Sequence, residues 1–110
     1  MTEVKEIFQE IDSALSTDPS RANGVKAVYQ FDISGVGTYQ LVLREENSFA
    51  QEGSSEKPDC TLAMSPEDFL KMADGTLNGT QAFMSGRLKI KGNMGLALKL
   101  QGLLASYKAS

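Results

Sequence analysis

Few residues of this chain have the types and spacing that covalent or metal chemistry needs. The chain has 110 residues, with one cysteine, Cys60, and no histidine. Without histidine it lacks the usual base of a serine or cysteine nucleophile and the commonest transition-metal ligand. The acidic pairs Glu45-Glu46 and Glu67-Asp68 could transfer protons, but each is placed at a predicted turn or helix start. We therefore predict no catalytic residue, no metal site and no cofactor, and expect that the protein is not an enzyme.

One short glycine motif has the spacing of a nucleic-acid clamp. Gly92-Asn93-Met94-Gly95 matches the Gly-x-x-Gly loop with which KH domains hold a nucleic-acid backbone. That loop lies between two helices, whereas here a strand is predicted before the motif and a helix after it. The net charge of -3 also differs from the basic surface of an RNA-binding protein. A tight strand-to-helix junction is favoured and no nucleic-acid partner is expected, with a KH-like module as an alternative.

The charged residues are divided unevenly along the chain. All 14 acidic residues lie at or before Asp74, whereas five basic residues and no acidic one follow it. Three of these, Arg87, Lys89 and Lys91, alternate with apolar residues and are predicted to form the outward row of a strand. Such a row either protects an edge strand from aggregation or attracts the anionic groups of a membrane surface or of acyl-CoA.

The hydrophobic periodicity predicts an α+β order of elements. Apolar residues first recur at helical spacing, and the period then changes to the two-residue alternation of strands. Serine and asparagine caps begin two short helices further along. We expect one domain over residues 1–110, with helices on one face of a sheet. The predicted elements are a helix over 3–16, strands over 25–33, 38–44, 48–52 and 60–64, short helices after Ser65 and Asn78, a strand over 87–91 and a helix over 94–104.

Flexible apolar side chains are predicted on the inward faces of several elements. Methionine adapts its shape easily and is common where a protein accepts varied apolar ligands. The last helix is apolar around most of its circumference, so it must be buried on several sides or cover something apolar. Ordinary core packing and a small-molecule cavity both fit this pattern. The inward residues are Phe31, Met64, Phe69, Met72, Phe83, Met84 and Met94.

The stretch Gly86–Gln101, GRLKIKGNMGLALKLQ, closely resembles the sterol carrier protein 2 family, the non-specific lipid-transfer proteins. Segments at Asp59–Met64, Phe69-Leu70 and Ala82-Phe83 extend the resemblance, and the order of elements is similar from the first helix onwards. The resemblance implies a five-stranded mixed sheet, with a hydrophobic tunnel between the sheet and its helices. The implied ligands are fatty acids, fatty acyl-CoA, sterols or phospholipids, carried between membranes or enzymes. The alternative is an accessory module that presents substrate to a lipid-metabolising enzyme.

Candidate contact residues follow from this resemblance and from the inward pattern. Arg87, Lys89 and Lys91 are the candidates for contact with lipid headgroups or with an anionic membrane surface. The candidates for contact with the apolar part of a lipid are Phe31, Leu41, Leu62, Met64, Phe69, Met72, Phe83, Met84, Leu88, Ile90, Met94, Leu98, Leu100 and Leu103.

Both ends of the sequence bear on where the protein is expected. The polar start has no apolar stretch like the core of a signal peptide. The ending Lys108-Ala109-Ser110 differs from the Ser-Lys-Leu peroxisomal signal, although many animal members of the resembled family carry one. We expect a cytoplasmic protein, with the peroxisome as the alternative location, and no oligomeric state follows from the sequence.

Overall fold

The computed structural model describes residues 4–17, 26–44, 48–74 and 76–107, with side chains described as far as residue 100. These residues form helices on one face of a sheet, the α+β arrangement that the periodicity predicts. The elements are α1 (Val4–Thr17), β1 (Ala27–Ile33), β2 (Gly37–Leu43), β3 (Phe49–Glu52), β4 (Cys60–Met64), α2 (Pro66–Asp74), α3 (Gly79–Met84), β5 (Lys89–Gly92) and α4 (Met94–Tyr107).

The strands form one five-stranded mixed sheet in the order β3-β2-β1-β4-β5. β1 lies antiparallel to β2 and parallel to β4, while β3 and β5 pair antiparallel with β2 and β4. The register places Phe31 of β1 opposite Tyr39 of β2 and Leu62 of β4, which aligns the inward residues of neighbouring strands. The predicted mixed sheet is confirmed, with β3 and β5 at its edges.

An aromatic cluster fills the layer between the sheet and helices α1 and α2. Phe8 of α1 stacks on Tyr39 at 4.6 Å and on Phe69 of α2 at 5.0 Å between ring centroids. Phe31 meets both phenylalanine rings edge-on, at 5.3 and 5.5 Å. Burying each phenylalanine contributes about 1.5–3 kcal/mol, and offset or edge-on pairs add about 1 kcal/mol. The four rings therefore pack against one another in the core of this layer.

The second face of the sheet is also partly buried, which the alternating pattern did not predict. Gln40 and Val42 lie on the face expected to be outward, yet both are fully buried. The Gln40 side chain donates hydrogen bonds to the Gln30 side chain at 3.0 Å and to the Glu56 carbonyl at 2.8 Å. Its carbonyl oxygen accepts bonds from the Glu56 amide and the Gln51 side chain. The loop containing Glu56 therefore covers this face without leaving the amide group unpaired.

Side-chain caps begin the later helices. Ser65 Oγ accepts a bond from the Asp68 amide at 3.1 Å, and Asn78 Oδ1 accepts one from the Thr80 amide at 2.8 Å. Both starts were predicted, because each cap satisfies an amide that the first helical turn leaves free. Asn93 begins α4 in the same way. Within the described ranges, no helix has the length and apolar character needed to cross a bilayer.

Candidate functional site

An apolar groove lies where α2, α3, β5 and α4 meet. The space within it, together with the open solvent at its mouth, amounts to about 400 Å³. Thr80 supplies the one polar side chain among the described residues that line it. The lining residues are Met72, Gly79, Thr80, Phe83, Leu88, Ile90, Met94, Ala97 and Leu98.

The groove has a buried floor and an exposed rim. Met72 and Leu88 on the floor are almost completely buried. Phe83 of α3 is 41% exposed, and Met94 and Leu98 of α4 are 42% and 65% exposed. Large apolar side chains are seldom exposed together without a binding role, because exposing apolar surface to water costs free energy. The rim is therefore suited to contact with another apolar surface or chain.

Two backbone hydrogen bonds hold the segment that precedes β5 against α3. The Arg87 and Leu88 amides both donate to the Ala82 carbonyl, at 2.9 and 3.1 Å. Gly86 has a φ of +82° in the turn between them, a conformation that glycine adopts without strain. Ala82 is fully buried. These contacts turn the chain sharply, so that Phe83 and Leu88 face the same groove.

An ion pair joins α2 to the segment that precedes β5. The Arg87 guanidinium donates to the carboxylate of Asp68, which is nearly buried in the first turn of α2. The prediction of one outward row is therefore wrong for Arg87, which lies before β5 and turns toward the helices. Lys89 and Lys91 are exposed on β5 and flank Ile90, which lines the groove. Because side chains alternate along a strand, both lysines project on the sheet face opposite the groove.

The Gly92 junction fixes the angle between β5 and α4. Gly92 has a φ of +98°, and a β-carbon there would lie 2.5 Å from the Asp59 carbonyl oxygen. The same carbonyl accepts a bond from the Asn93 amide at 3.1 Å, while the Asp59 carboxylate accepts one from the Val28 amide at 2.9 Å. The glycine is needed for this close approach of two backbones. The Gly-x-x-Gly motif follows a strand, in agreement with the favoured interpretation.

The structure divides the predicted contact residues between the core and the groove. Six of them line the groove and are named above. Of the remaining candidates, Leu103 lies outside the residues whose side chains are described, and Met84 is discussed below. The others are buried in the packed core: Phe31, Leu41, Leu62, Met64, Phe69 and Leu100.

The prediction that Met84 points inward is wrong. Its side chain is 80% exposed, because Ala82 occupies the buried side of the short helix α3 and Met84 follows it by 200°. The groove also contains residues that the sequence reasoning did not select, among them Thr80 and Ala97. A polar residue and a small one carry no hydrophobic signal, but their spacing from Phe83 and Met94 places them on the same helix sides.

A second cavity, of about 410 Å³ including open solvent, lies between α1 and β3. Its lining includes Lys5, Asp12 and Glu52, and the Asp12 carboxylate accepts a bond from the Ala50 amide at 3.1 Å. Burying an apolar ligand here would remove water from charged groups without replacing their hydrogen bonds. The groove at α4 is the better apolar site.

The reactive groups of the described chain are few and protected. Cys60 is buried, and burial, with a smaller contribution from the neighbouring Asp59 carboxylate, raises the pKa of its thiol. A raised pKa lowers the fraction of reactive thiolate at neutral pH. Among the described residues, no three histidine, cysteine or acidic side chains come together in a cluster that could hold a metal ion.

Comparison with known proteins identifies close relatives across nearly the whole chain. It is 45% identical over 104 residues to hydroxysteroid dehydrogenase-like protein 2 of Bos taurus, covering 92% of this chain and 24% of that protein. It is 41% identical over 109 residues to the Homo sapiens protein of the same name, covering 96% of this chain and 26% of that protein. The chain thus spans about a quarter of the length of these curated relatives.

Solved structures share the fold. Sterol carrier protein 2 from Yarrowia lipolytica, in its apo form, superposes with a TM-score of 0.81 at 24% identity, covering 96% of this chain and 91% of that one. The sterol carrier protein domain 2 of Helicoverpa armigera gives 0.77 at 31% identity, covering 94% and 87%. A palmitated SCP2L2 from Aedes aegypti gives 0.69 at 25% identity, covering 94% and 96%. Residues 5–105 match the SCP-2 sterol transfer family model, and the chain therefore belongs to that family.

Proposed function

We propose that this chain is a lipid carrier that holds the apolar part of its ligand in the groove between α2, α3, β5 and α4. The observation that carries the proposal is the apolar lining, which continues from the buried floor to the exposed rim. Each methylene group moved from water into such a site contributes about 0.8 kcal/mol. The affinity therefore grows with the number of methylene groups that the groove removes from water.

The proposed ligands are fatty acids, fatty acyl-CoA, sterols or phospholipids. The family is described as a sterol transfer family, and the Aedes aegypti relative was solved in a palmitated form. Met72 and Met94 give the groove an adaptable wall, which favours broad rather than strict selectivity. The polar end of the ligand is proposed to stay at the mouth, beside the Thr80 hydroxyl and the solvent.

The proposed role is carriage without a covalent step. The polar side-chain chemistry of the described groove is limited to the Thr80 hydroxyl, and the Cys60 thiol is buried elsewhere in the core. A carrier returns its ligand unchanged. Incubation with an acyl-CoA or a sterol, followed by mass spectrometry of the recovered lipid, should therefore show no product; accumulation of one would indicate an enzyme.

A substrate-presenting module is the second candidate. It is favoured by the match to proteins named hydroxysteroid dehydrogenase-like, of which the chain spans about a quarter. Such a module would bind the same lipids and also increase the turnover of a dehydrogenase domain added in solution. A carrier acting alone would leave that turnover unchanged.

The groove is tested by titration with a fluorescent fatty acid. Leu98→Asp places a charge on the rim at a position 65% exposed, so the fold should tolerate it. Val36→Asp is the matched control, since Val36 is 43% exposed and lies outside the groove. We expect affinity to fall by at least about tenfold in Leu98→Asp and to stay unchanged in Val36→Asp. Equal affinity in both variants, or no uptake by the unsubstituted protein, would contradict the proposal.

A further inference from the structure

We propose that Met72 and Met94 accept an oxygen atom from a lipid hydroperoxide held in the groove, so that the peroxidised lipid leaves as an alcohol. The inference rests on the proposed function, because it requires that the apolar chain of a lipid lies in the groove. It also goes beyond carriage, since an ordinary lipid is returned unchanged whereas a peroxidised one loses an oxygen atom. Each methionine reacts once, because the described lining holds no group that would reduce the sulfoxide again.

Two of the five methionines in the sequence line the groove. Met72 of α2 lies on the floor and is 3% exposed, whereas Met94 begins α4 at the rim and is 42% exposed. A methionine side chain is unbranched and has three rotatable bonds, so its sulfur can adjust to ligands of different shape. A lipid chain in the groove therefore runs past thioether groups on two different helices.

A hydroperoxide group part-way along a lipid chain would find few polar partners in the groove. Among the described lining side chains, the atoms that can accept a hydrogen bond are the Thr80 hydroxyl and the two thioether sulfurs. Thr80 is exposed, so it serves the solvent side of the groove. Burying a polar group without a hydrogen bond costs free energy. The O–H of a buried hydroperoxide therefore bonds to a thioether, which brings the O–O bond next to the sulfur that it oxidises.

The reaction is an oxygen transfer that balances between the lipid and the side chain. A sulfur lone pair attacks the distal oxygen of the hydroperoxide, so that an S–O bond forms and the O–O bond breaks. The proton of the distal oxygen passes to the lipid alkoxide, which leaves as an alcohol. The sulfur loses two electrons to the peroxide, and the thioether becomes a sulfoxide. Holding both reactants in one groove gives this bimolecular step the rate advantage of proximity.

Two further methionines, Met64 and Met84, do not line the groove and provide comparisons within the same chain. Met64 is 4% exposed and is therefore as deeply buried as Met72, whereas Met84 is 80% exposed. An oxidant dissolved in water reaches methionines in the order of their exposure, with Met84 first. An oxidant held in the groove reaches Met72 and Met94 instead. The two routes therefore predict different orders of oxidation.

The test compares a fatty-acid hydroperoxide with hydrogen peroxide. Each oxidant is incubated with the protein, and peptide mass spectrometry measures the sulfoxide at each methionine; hydrogen peroxide gives the reference order. With linoleic acid hydroperoxide, we expect Met72 and Met94 to be oxidised at least about tenfold faster than Met84, and Met64 to stay unmodified. If the lipid hydroperoxide oxidises Met84 first, or oxidises Met64 as fast as Met72, the proposal is wrong.

Chromatography of the recovered lipid measures the alcohol that the transfer produces. Its amount should equal the sulfoxide formed at the two groove methionines. Combining Met72→Leu with Met94→Leu removes both sulfurs at similar apolar volume, so alcohol formation should fall at least about tenfold. Met84→Leu is the matched control and should form as much alcohol as the unsubstituted protein. Undiminished alcohol formation by the double variant would overturn the assignment.

Competition by unoxidised linoleic acid gives a readout that needs no substitution. An excess should occupy the groove and protect Met72 and Met94 from the hydroperoxide, without protecting Met84. Absence of this protection would count against oxygen transfer in the groove. Failure of the unsubstituted protein to bind linoleic acid would overturn the proposed function, whereas binding without sulfoxide at Met72 or Met94 would overturn only the oxygen transfer.

Discussion

The Tyr29 hydroxyl of β1 donates a 2.7 Å hydrogen bond to the Leu96 carbonyl in the first turns of α4. Tyr29 is fully buried in the sheet, so this bond joins the core to the helix that forms one wall of the groove. Leu100, one turn further along α4, is also fully buried. The inner side of α4 is thus held firmly, while Met94 and Leu98 on another side remain exposed at the rim.

Replacing Tyr29 by phenylalanine should loosen α4 without disturbing the packing of the ring. We expect the free energy of unfolding to fall by about 1 kcal/mol, because one hydrogen bond is lost and the Leu96 carbonyl can still bond within the helix. A bound fluorescent fatty acid should dissociate faster, as measured by stopped flow. Tyr39→Phe is the control, since the Tyr39 ring stacks on Phe8 of α1. Equal dissociation rates in both variants would show that α4 does not limit release.

The Gly92 junction predicts a large cost for a very small substitution. Gly92→Ala combines strain at a φ of +98° with a β-carbon 2.5 Å from the Asp59 carbonyl oxygen. We expect the free energy of unfolding to fall by about 3 kcal/mol, the sum of backbone strain and overpacking. Gly35→Ala is the matched control, because Gly35 has a φ of +73° with open space around it. Urea melts should show that Gly35→Ala lowers the free energy of unfolding only by the backbone strain, about 1 kcal/mol. Equal losses in the two variants would exclude the close contact with the Asp59 carbonyl as a cause.

Local patterns were sufficient to predict most elements of this fold. The spacing of Val4, Phe8, Ile11 and Leu15 predicts α1, and the structure buries these residues. Caps such as Asn78 predict helix starts because they act on amides two or three residues away. The resemblance of the Gly86–Gln101 stretch to a known family added the five-stranded sheet and the family itself to these predictions. These signals all lie within a few residues of what they determine, or within one continuous stretch.

What could not be predicted depends on contacts between distant parts of the chain. Arg87 belongs to the alternating row in sequence, but Asp68, 19 residues earlier, draws it toward α2. Gln40 is buried only because Glu56 folds back over it. Periodicity also does not distinguish an apolar residue that fills the core from one that is exposed, as Met84 shows. The sequence therefore predicted which kinds of residue line the groove better than it predicted where the groove lies.

The buried thiol predicts a loss of stability at alkaline pH. Burial, helped by the Asp59 carboxylate, raises the pKa of the Cys60 thiol in the folded protein. As pH rises past the ordinary thiol pKa, the unfolded chain releases this proton while the folded chain keeps it, so stability falls. Urea melts between about pH 7 and pH 9.5 should show this fall in the unsubstituted protein and less of it in Cys60→Ala. Identical slopes would show that Cys60 titrates normally.

We expect the two lysines of β5 to protect an edge strand from association rather than to contact the ligand. Lys89 and Lys91 are exposed on the sheet face opposite the groove, and β5 is the last strand of the described sheet. Replacing both by threonine removes the charge and raises β-propensity, so light scattering should show concentration-dependent association. Lys57→Thr, on a loop, should stay monodisperse. Fatty-acid affinity should stay unchanged in both variants, because neither alters the groove; a fall in the β5 variant would instead place these lysines at the ligand's headgroup.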